Sequence, residues 1–369
     1  LFVRQFDRTL VAVDGDEVVG TSLAYGFRLS VPGRAREIAT AGFSGLSVLP
    51  THRRVGILRE LMRRNLDDAH RRGEVLSVLW PSESGIYRRF GYGVGTTTLS
   101  WEIERTRATL IDGLDSGGRT VRFLPNDPAK VAELIAPVHD AVRQDRPGML
   151  GRDATWWAYR TASAATGNCW IGVDGPDGLE GYATYSVSGS WESDGPANEV
   201  SLGEFASTTT EAEIALWRYL LDIDLVRRIT TWGRPPDETL PYLLRDPRRL
   251  QRRAYDGLWV RTVDLAACLA GRAYAGPLDI VLEVTDGFCQ WNEGRWHLST
   301  DGASATCTRS MAEPDLSLDV GEVGSAFLGG QSLRTLARAG LVHERTEGAL
   351  QAADLAFAWS PAPWAITWF

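Results

Sequence analysis

Alternating apolar and polar residues predict a β-hairpin at the start of the chain and a further strand after it. The runs 9–13 and 17–29 alternate in this way on either side of Asp14-Gly15-Asp16, a short turn sequence typical of hairpins. Residues 38–49 then lead into the anion-binding turn described below, and their last five residues are mostly apolar, as in a buried strand. Pro50 ends that strand because proline has no backbone N–H to donate.

The next segment has the spacing of an amphipathic helix. From Gly56 to Gly73, apolar residues recur on one helical face, at Ile57, Leu58, Leu61, Met62 and Leu66. The six-residue apolar run 75–80 that follows predicts another strand. A helix between two strands indicates a β-α-β unit with a parallel, buried strand pair.

The turn that begins this helix has candidate chemistry. The first backbone N–H groups of a helix are unpaired, and the helix dipole places roughly half a positive charge beside them. Gly56 leaves room for a close approach, while Arg53 and Arg54 add charge. Residues 53–56, which we call the anion-binding turn, therefore suit a phosphate or diphosphate. The sequence is neither a P-loop nor a G-x-G-x-x-G fingerprint, and an ordinary basic helix start remains the alternative.

A short aromatic helix is predicted after the second strand of this unit. Ser82 or Ser84 is a candidate cap, and the helix carries Tyr87 and ends at Gly91. Strand-favouring residues follow at 96–102. Tyr87 is either a half-buried aromatic with its hydroxyl bonded to the backbone, or a residue close to a ligand in the cleft of the sheet.

The middle of the chain repeats the α/β pattern without the anion-binding turn. We expect a helix at 127–142 and strands at 170–173, 180–187 and 204–206, followed by a helix at 211–223. No Arg-x-x-Gly sequence occurs at the corresponding turn. Trp156 and Trp157 are either ligand contacts or packing residues, and packing is the favoured interpretation.

The last hundred residues predict a third α/β segment and an apolar end. Strands are expected at 258–263, 278–284, 289–292, 294–298 and 314–320, and helices at 264–270, 320–328 and 332–339. Chain ends are ordinarily polar and frayed, whereas 360–369 is rich in tryptophan, alanine and proline. We therefore expect this end to be buried, which also carries the α-carboxylate of Phe369 into the protein. It forms either a terminal strand or part of a site.

Composition limits the classes of partner. The 369 residues contain 44% hydrophobic residues, enough for two or three cored domains, and a net charge of −8 that argues against nucleic acid as the main partner. The four cysteines and five histidines lack the spacing of a metal site. No apolar run is long enough to span a membrane, and no signal peptide is visible, so we expect a cytoplasmic protein. Because the chain begins at Leu1 in strand-like sequence, we expect N-terminal residues to be missing.

Two motifs resemble one known family. They are Pro50-Thr51-His52-Arg53-Arg54-Val55-Gly56-Ile57-Leu58-Arg59 and Ser82-Glu83-Ser84-Gly85-Ile86-Tyr87-Arg88-Arg89-Phe90-Gly91-Tyr92-Gly93. Both are similar to the Eis (enhanced intracellular survival) acetyltransferases, a branch of the GCN5-related N-acetyltransferases (GNAT). Arg88 replaces a glycine of the family, a change expected to be peripheral. The resemblance covers the whole chain.

The resemblance implies an α/β fold built of tandem GNAT domains followed by a sterol carrier protein-like domain. The expected limits are 1–106 for the catalytic GNAT domain, 107–255 for a degenerate second GNAT domain that binds no cofactor, and 256–369 for the C-terminal domain. The end of the third domain is expected to enter the active site of the first.

The family also implies roles for individual residues. Tyr87 would be the general acid and the Phe369 carboxylate the general base, while Trp80 and Trp368 are candidate substrate contacts. Trp368 stands where the family has a glutamate that holds amine substrates. Acetyl-CoA is the implied co-substrate, without a metal, and its expected contacts are Leu46, Ser47, Val48, Arg53, Arg54, Val55, Gly56, Ile57, Leu58, Arg59, Ser82 and Glu83.

The implied activity is acetyl transfer to amines of small cationic substrates, with aminoglycosides first and acetylation at several positions expected. One alternative is an acetyltransferase for protein or peptide lysines. Another is a non-enzymatic lipid carrier based on the C-terminal fold. The family further implies a homohexamer, which nothing in the sequence itself indicates.

Overall fold

The computed structural model describes residues 5–165, 167–193 and 195–369. The strand-like start expected at Leu1 lies outside these residues. Within the described part of the chain, no helix is both long enough and apolar enough to cross a membrane.

The first hundred residues form the predicted hairpin and β-α-β unit. Their elements are β1 Thr9–Asp14, β2 Glu17–Ser30, β3 Glu37–Val48, α1 Ile57–Arg71, β4 Leu76–Leu79, α2 Ser84–Tyr87 and β5 Gly93–Val94. The expected serine cap of α2 is wrong, because Glu83 holds the cap position and no side chain caps the helix.

The middle segment has the predicted second α/β pattern. It comprises β6 Thr97–Glu104, β7 Val121–Phe123, α3 Pro128–Asp145, α4 Ala154–Thr161, β8 Cys169–Gly175, β9 Gly178–Ser188, β10 Trp191–Glu192, β11 Gly195–Pro196, β12 Asn198–Ser207, α5 Thr210–Leu221, β13 Val226–Arg234, α6 Leu240–Leu243 and β14 Gln251–Asp256. Trp156 and Trp157 are 3% and 8% exposed, which confirms the packing interpretation.

The last segment comprises β15 Trp259–Thr262, α7 Leu265–Gly271, β16 Leu278–Thr285, β17 Gly294–Thr300, β18 Ala305–Arg309, β19 Leu316–Asp319, α8 Val320–Phe327, α9 Leu333–Arg338, β20 Val342–Glu344 and α10 Ala349–Phe357. The strand predicted at 289–292 is wrong, since Gln290–Asn292 is a 3-10 helix that closes the turn after β16. Sequence analysis missed β18, β20 and α10 in this segment, and β7, α4, β10, β11, β13, α6 and β14 in the middle segment.

Three sheets organise these elements. Their strand orders are β1-β2-β3-β4-β15-β5, β14-β6-β13-β12-β9-β8-β7 and β18-β17-β16-β19-β20. We call the regions around them the first, second and third domains. Sheet membership crosses the limits expected at 106 and 255. Strand β6 pairs with β13 in the second sheet, and β15 lies between β4 and β5 in the first, because strand pairing joins residues distant in sequence.

The chain divides into two compact units. One contains residues 98–144 and 152–255, which include the second sheet. The other contains the described residues up to 97 together with 145–151 and 256–369, and so unites the first and third domains. All eight residues of α8 are buried, since this helix contacts both β15 and β19. The third domain therefore packs directly on the sheet of the first.

Candidate active site

The sheet of the first domain opens between β3 and β4. The two strands pair in parallel only where Thr40–Phe43 meets Leu76–Leu79, and β3 then continues to Val48. A bulge accompanies the opening, because Gly45 and Leu46 together lie opposite the single residue Ser22 of β2. Gly45 has a φ of +58°, a conformation that glycine adopts without strain. The β4 side of Leu46–Val48 has no strand partner among the described strands, so its backbone is available to an extended ligand.

The anion-binding turn lies at the end of this opened strand. Gly56 is the cap residue of α1, with a φ of +99° and no side chain bonded to the first amides of the helix. A Cβ atom at Gly56 would meet no atom within 4 Å, so the space in front of these amides is open. Free amides, the helix dipole and two neighbouring arginines form a donor set suited to a diphosphate.

A cavity of about 860 Å³ extends from this turn to the short helix α2. It is lined by most of the residues expected to bind the cofactor, together with Tyr87: Leu46, Ser47, Val48, Arg53, Arg54, Gly56, Ile57, Leu58, Arg59, Ser82, Glu83 and Tyr87. Val55 is 73% exposed and is not part of this lining. The structure thus brings together two motifs that are about two dozen residues apart in sequence.

Tyr87 is a buried phenol in the wall of the cavity. Its side chain is 5% exposed, its hydroxyl interacts with Ser82, and its ring meets Tyr92 edge to face at 6.3 Å. Burial raises the pKa of Tyr87 above 10, against the lowering effect of the Ser82 bond. The hydroxyl is therefore protonated at neutral pH and suited to donate a proton.

The chain terminus lies on the same sheet. The ring of Phe369 is 5.1 Å from that of Phe27 and 6.3 Å from that of Tyr25, and a Cβ atom at Gly42 would lie 2.9 Å from it. Residues 364–367 are buried, as expected, whereas Trp368 is 37% exposed and Phe369 is half-buried, so the expected burial holds only up to Thr367. The alternative of a terminal strand is wrong, because no strand is present after β20.

Two tryptophans hold this terminus. The rings of Trp80 and Trp368 stack at 3.8 Å, and Trp80 Nε1 donates to the carbonyl of Thr367 at 3.2 Å. Trp80, Trp368 and Phe369 are absent from the lining of the 860 Å³ cavity. Of the three, Phe369 approaches β3 at Gly42, which is four residues, or about 13 Å along a regular strand, from Leu46 of the cavity lining.

The second domain lacks the features of the anion-binding turn. At the equivalent start of α5, Thr209 accepts a hydrogen bond from the amide of Ala212 at 3.2 Å. The Thr209 hydroxyl in turn donates to Glu180 at 3.0 Å. A side chain and a carboxylate thus occupy the position that an anion would need.

Several lining residues were not predicted: His52, Ile86, Arg89, Phe90, Gly287 and Phe288. The first four lie within the two motifs and could have been inferred from them. Gly287 and Phe288 belong to the third domain and are about two hundred residues away in sequence, so no local pattern indicates them.

Arg88, the departure from the family motif, lies outside the cavity lining and forms an ion pair with Glu322 of α8. Glu322 is 4% exposed, and burial raises its pKa, although Arg88 opposes this shift. The substitution therefore links the helix of Tyr87 to the third domain.

Comparisons with known proteins agree with this architecture. Sequence models of the acetyltransferase (GNAT) domain match residues 3–95 and 148–262, and a model of the sterol carrier protein domain matches residues 265–366. An uncharacterized N-acetyltransferase of Streptomyces avermitilis is 41% identical over 97% of this chain and 88% of its own length.

Two further comparisons concern proteins named Eis. The N-acetyltransferase Eis of Mycobacterium tuberculosis is 36% identical over 95% of this chain and 88% of its own length. The crystal structure of Eis1 from Mycobacterium abscessus has a TM-score of 0.86 and 34% identity, and the match covers 99% of this chain and 92% of Eis1. The sequence models and the structural comparison thus agree on two GNAT domains followed by a sterol carrier protein-like domain. The chain belongs to the Eis family of GNAT N-acetyltransferases.

Proposed function

We propose that the protein transfers an acetyl group from acetyl-CoA to amines of small cationic substrates, with aminoglycosides as the first candidates and more than one amine acetylated. The observation that carries this proposal is the first-domain cavity, which joins an unpaired strand edge, an uncapped helix start and a neutral phenol. GNAT domains use acetyl-CoA, and the donor set of this cavity fits it. Leu46–Val48 would pair with the pantetheine amides, and the anion-binding turn would hold the diphosphate.

Acetyl-CoA supplies an activated thioester, and this chain's residues manage the protons. Tyr87 is the proposed general acid, which protonates the departing sulfur. An ordinary phenol with a pKa near 10 is only slightly weaker as an acid than a thiol with a pKa of about 8–9, and the burial of Tyr87 widens this gap. Transfer from Tyr87 to the thiolate is therefore modestly uphill, and the interaction of Tyr87 with Ser82, which lowers the pKa of the phenol, reduces that cost.

The α-carboxylate of Phe369 is the proposed general base. It would accept a proton from the substrate ammonium before the amine attacks the thioester. An ordinary α-carboxyl has a pKa of about 3.3–3.7 and is a weak base for this task. A carboxylate at this place would also anchor a cationic substrate, and a water could relay the proton to it.

Release of CoA thiol in a DTNB assay tests the function. Turnover with a panel of aminoglycosides supports the proposal. Turnover only with lysine-containing peptides would instead support the protein acetyltransferase, and no turnover with lipid copurifying would support the carrier.

A matched set of C-terminal variants tests the base. Deleting Phe369, or adding one glycine after it, displaces the carboxylate, and we expect kcat to fall about 10²–10⁴-fold with CoA binding retained. Phe369→Leu keeps the carboxylate in place and should lose far less. Full activity of the deletion variant would refute the assignment.

Family membership also supports a homohexamer as the working assembly, and the cytoplasm is the location expected from the sequence. Light scattering after gel filtration should give six times the mass of one chain. The mass of a single chain would contradict the hexamer, and recovery of the native protein from the membrane or culture-medium fraction would contradict the location.

A further inference from the structure

Arg88 stands directly beside the proposed general acid, and the mechanism above gives it no role. Tyr87 ends α2, and Arg88 begins the 3-10 turn Arg88–Phe90 that follows. Helix α2 has four residues and no side-chain cap, and a helix this short is not stable by itself. The position of Tyr87 must therefore be set by contacts with the rest of the protein.

The first domain restrains Tyr87 through Tyr92. The two rings meet edge to face, and Tyr92 is fully buried, with its hydroxyl 2.5 Å from that of Ser77 on β4. The amide of Tyr92 also donates to the carbonyl of Tyr87 at 3.4 Å. These contacts fix the ring of Tyr87 on the side of the first-domain sheet.

The third domain reaches the same segment through α8, which contacts β5 as well as β15. A Cβ atom at Gly93 of β5 would overlap the carbonyl of Gly321 and the hydroxyl of Ser325. Helix α8 therefore lies as close to the chain that follows Tyr87 as a glycine permits. At this separation, a side chain of α8 can reach the turn that contains Arg88.

Glu322 is the side chain of α8 that does so. The other residues of this helix are valine, glycine, serine, alanine and phenylalanine, and Glu322 is buried among them. A buried carboxylate is costly unless it is paired, and Arg88 forms an ion pair with it. The nearby Asp319 is also an acid and already accepts a hydrogen bond from the amide of Gly321, at 2.9 Å. Among the residues that the structure describes, Arg88 is thus the basic partner of Glu322.

The two ends of this ion pair differ in their surroundings. The side chain of Glu322 is 6% exposed, whereas that of Arg88 is 56% exposed. Glu322 is therefore fixed in the packing of α8, and Arg88 is the end that would move if the pair were broken. Because Arg88 follows Tyr87 in the chain, any shift of its backbone is passed to the phenol.

We propose that Arg88 and Glu322 are positioning residues for Tyr87, and that their ion pair holds the main chain beside the phenol in the place that proton donation to the departing sulfur requires. This inference rests on the proposed role of Tyr87 as general acid. A glycine at position 88, as in the family motif, has no side chain to form the pair, so the link is a feature of this chain. It gives the third domain a part in the protonation step.

Steady-state kinetics of the full chain in the thiol-release assay test the pair. Arg88→Met and Glu322→Leu should each lower kcat about tenfold with the KM for acetyl-CoA nearly unchanged, because a misplaced group slows only the chemical step. Glu322→Leu leaves no buried charge behind, so it tests the pair even where Arg88→Met does not fold. The double variant should lose no more than either single variant, since both remove the same contact.

Two controls accompany these variants. Arg88→Lys keeps the charge and should retain most of kcat. Arg64→Met removes an exposed arginine that pairs with Glu60 on α1, outside the cavity lining, and should have the kcat of the wild type. A loss in Arg88→Lys as large as that in Arg88→Met would overturn the ion pair as the cause.

The Tyr87→Phe background separates positioning from a merely structural role. In that background, Arg88→Met should cause no further loss of kcat, because no proton remains to be placed. A further tenfold loss there would overturn the inference, as would unchanged kcat in both Arg88→Met and Glu322→Leu. Wild-type activity of Tyr87→Phe would instead refute the acid itself, and no thiol release by the wild-type protein with any amine would refute the proposed function.

Discussion

Tyr87 illustrates how one buried side chain sets a pH dependence. Tyr87→Phe keeps the ring packed beside Tyr92 and removes only the proton, so we expect kcat to fall about 10²–10³-fold with little change in the KM for acetyl-CoA. Because burial raises the pKa of Tyr87 above the ordinary phenol value of about 10, its ionisation should cause no loss of kcat below about pH 9. Steady-state rates across this pH range check both statements. Activity of the Phe variant within tenfold of wild type would exclude Tyr87 as the acid.

Gly56 is a second position at which a single residue controls the site. Its φ of +99° costs a residue with a Cβ about 1–2 kcal/mol, although the space around it is open. Gly56→Ala should therefore weaken CoA binding about 5–30-fold by shifting the anion-binding turn. Gly276→Ala is the control, because it also adds a methyl group in open space but has no positive φ. Calorimetric Kd values that change equally in both variants would contradict the conformational argument.

At the scale of elements, Arg272 joins two helix ends in the third domain. It is fully buried and donates to the carbonyls of Ala326 and Phe327 at the end of α8 and to that of Phe357 at the end of α10. Burial lowers the pKa of Arg272 to about 10, so it remains charged at pH 7 and complements both helix dipoles.

Removing this link should destabilise the third domain. Arg272→Met removes the side-chain donor from these buried carbonyls, of which, within the described residues, only that of Ala326 keeps a backbone donor, from Gly329, and we expect the free energy of unfolding to fall by about 3 kcal/mol. Arg338 on α9 is exposed and serves as the control, so Arg338→Met should change the free energy of unfolding by less than about 0.5 kcal/mol. Denaturant titrations followed by tryptophan fluorescence measure both. Equal stability of the two variants would show that water or repacking replaces the guanidinium.

The core of the second domain contains a charge cluster next to helix α3. Glu204 accepts hydrogen bonds from Arg152 and Arg160, and these arginines outweigh burial and lower the pKa of Glu204 to about 2. His139 of α3 is fully buried against Trp157, and burial, with Arg152, lowers its pKa to about 4.

This arrangement predicts a loss of stability in weak acid. Because folded His139 has a pKa below its unfolded value of about 6.5, the unfolded chain binds more protons between pH 6.5 and 4, and stability falls as the pH drops. Titration of His139 should lower the free energy of unfolding by about 2 kcal/mol between pH 7 and pH 5. His139→Leu should reduce the difference in unfolding free energy between pH 7 and pH 5 by that amount, while His343→Gln, at an exposed site, should leave it in place. An unchanged difference in the His139 variant would contradict this assignment.

At the scale of the molecule, sheet membership predicts which fragments fold. Residues 5–97 lack β15, so β4 and β5 would lose their common partner and the buried residues of β4 would become exposed. We expect this fragment to aggregate, whereas residues 98–256 contain all seven strands of the second sheet and should fold. Far-UV circular dichroism and thermal melting distinguish the two. Cooperative unfolding of fragment 5–97 would show that β15 is dispensable.

Local patterns in the sequence determined the hairpin, α1 and the anion-binding turn. Apolar periodicity, Pro50 and Gly56 act within a few residues of the structure they specify, so each is visible without knowledge of the fold. The motifs around Arg53 and Tyr87 carried the family resemblance for the same reason, and the family comparisons confirm that resemblance. The strand predicted at 289–292 failed because Asp286 accepts a hydrogen bond from the Cys289 amide and the Asn292 side chain donates to the carbonyl of Thr262, which close a turn where no neighbouring strand pairs.

Only the tertiary structure decided which distant segments meet. The insertion of β15 beside β4, the approach of Phe369 to Gly42 and the presence of Phe288 in the cavity wall join residues that are roughly two hundred or more positions apart. Such contacts depend on how apolar faces of separate elements bury one another, as α8 does between two sheets. That burial is a property of the assembled elements, and no single stretch of sequence encodes it.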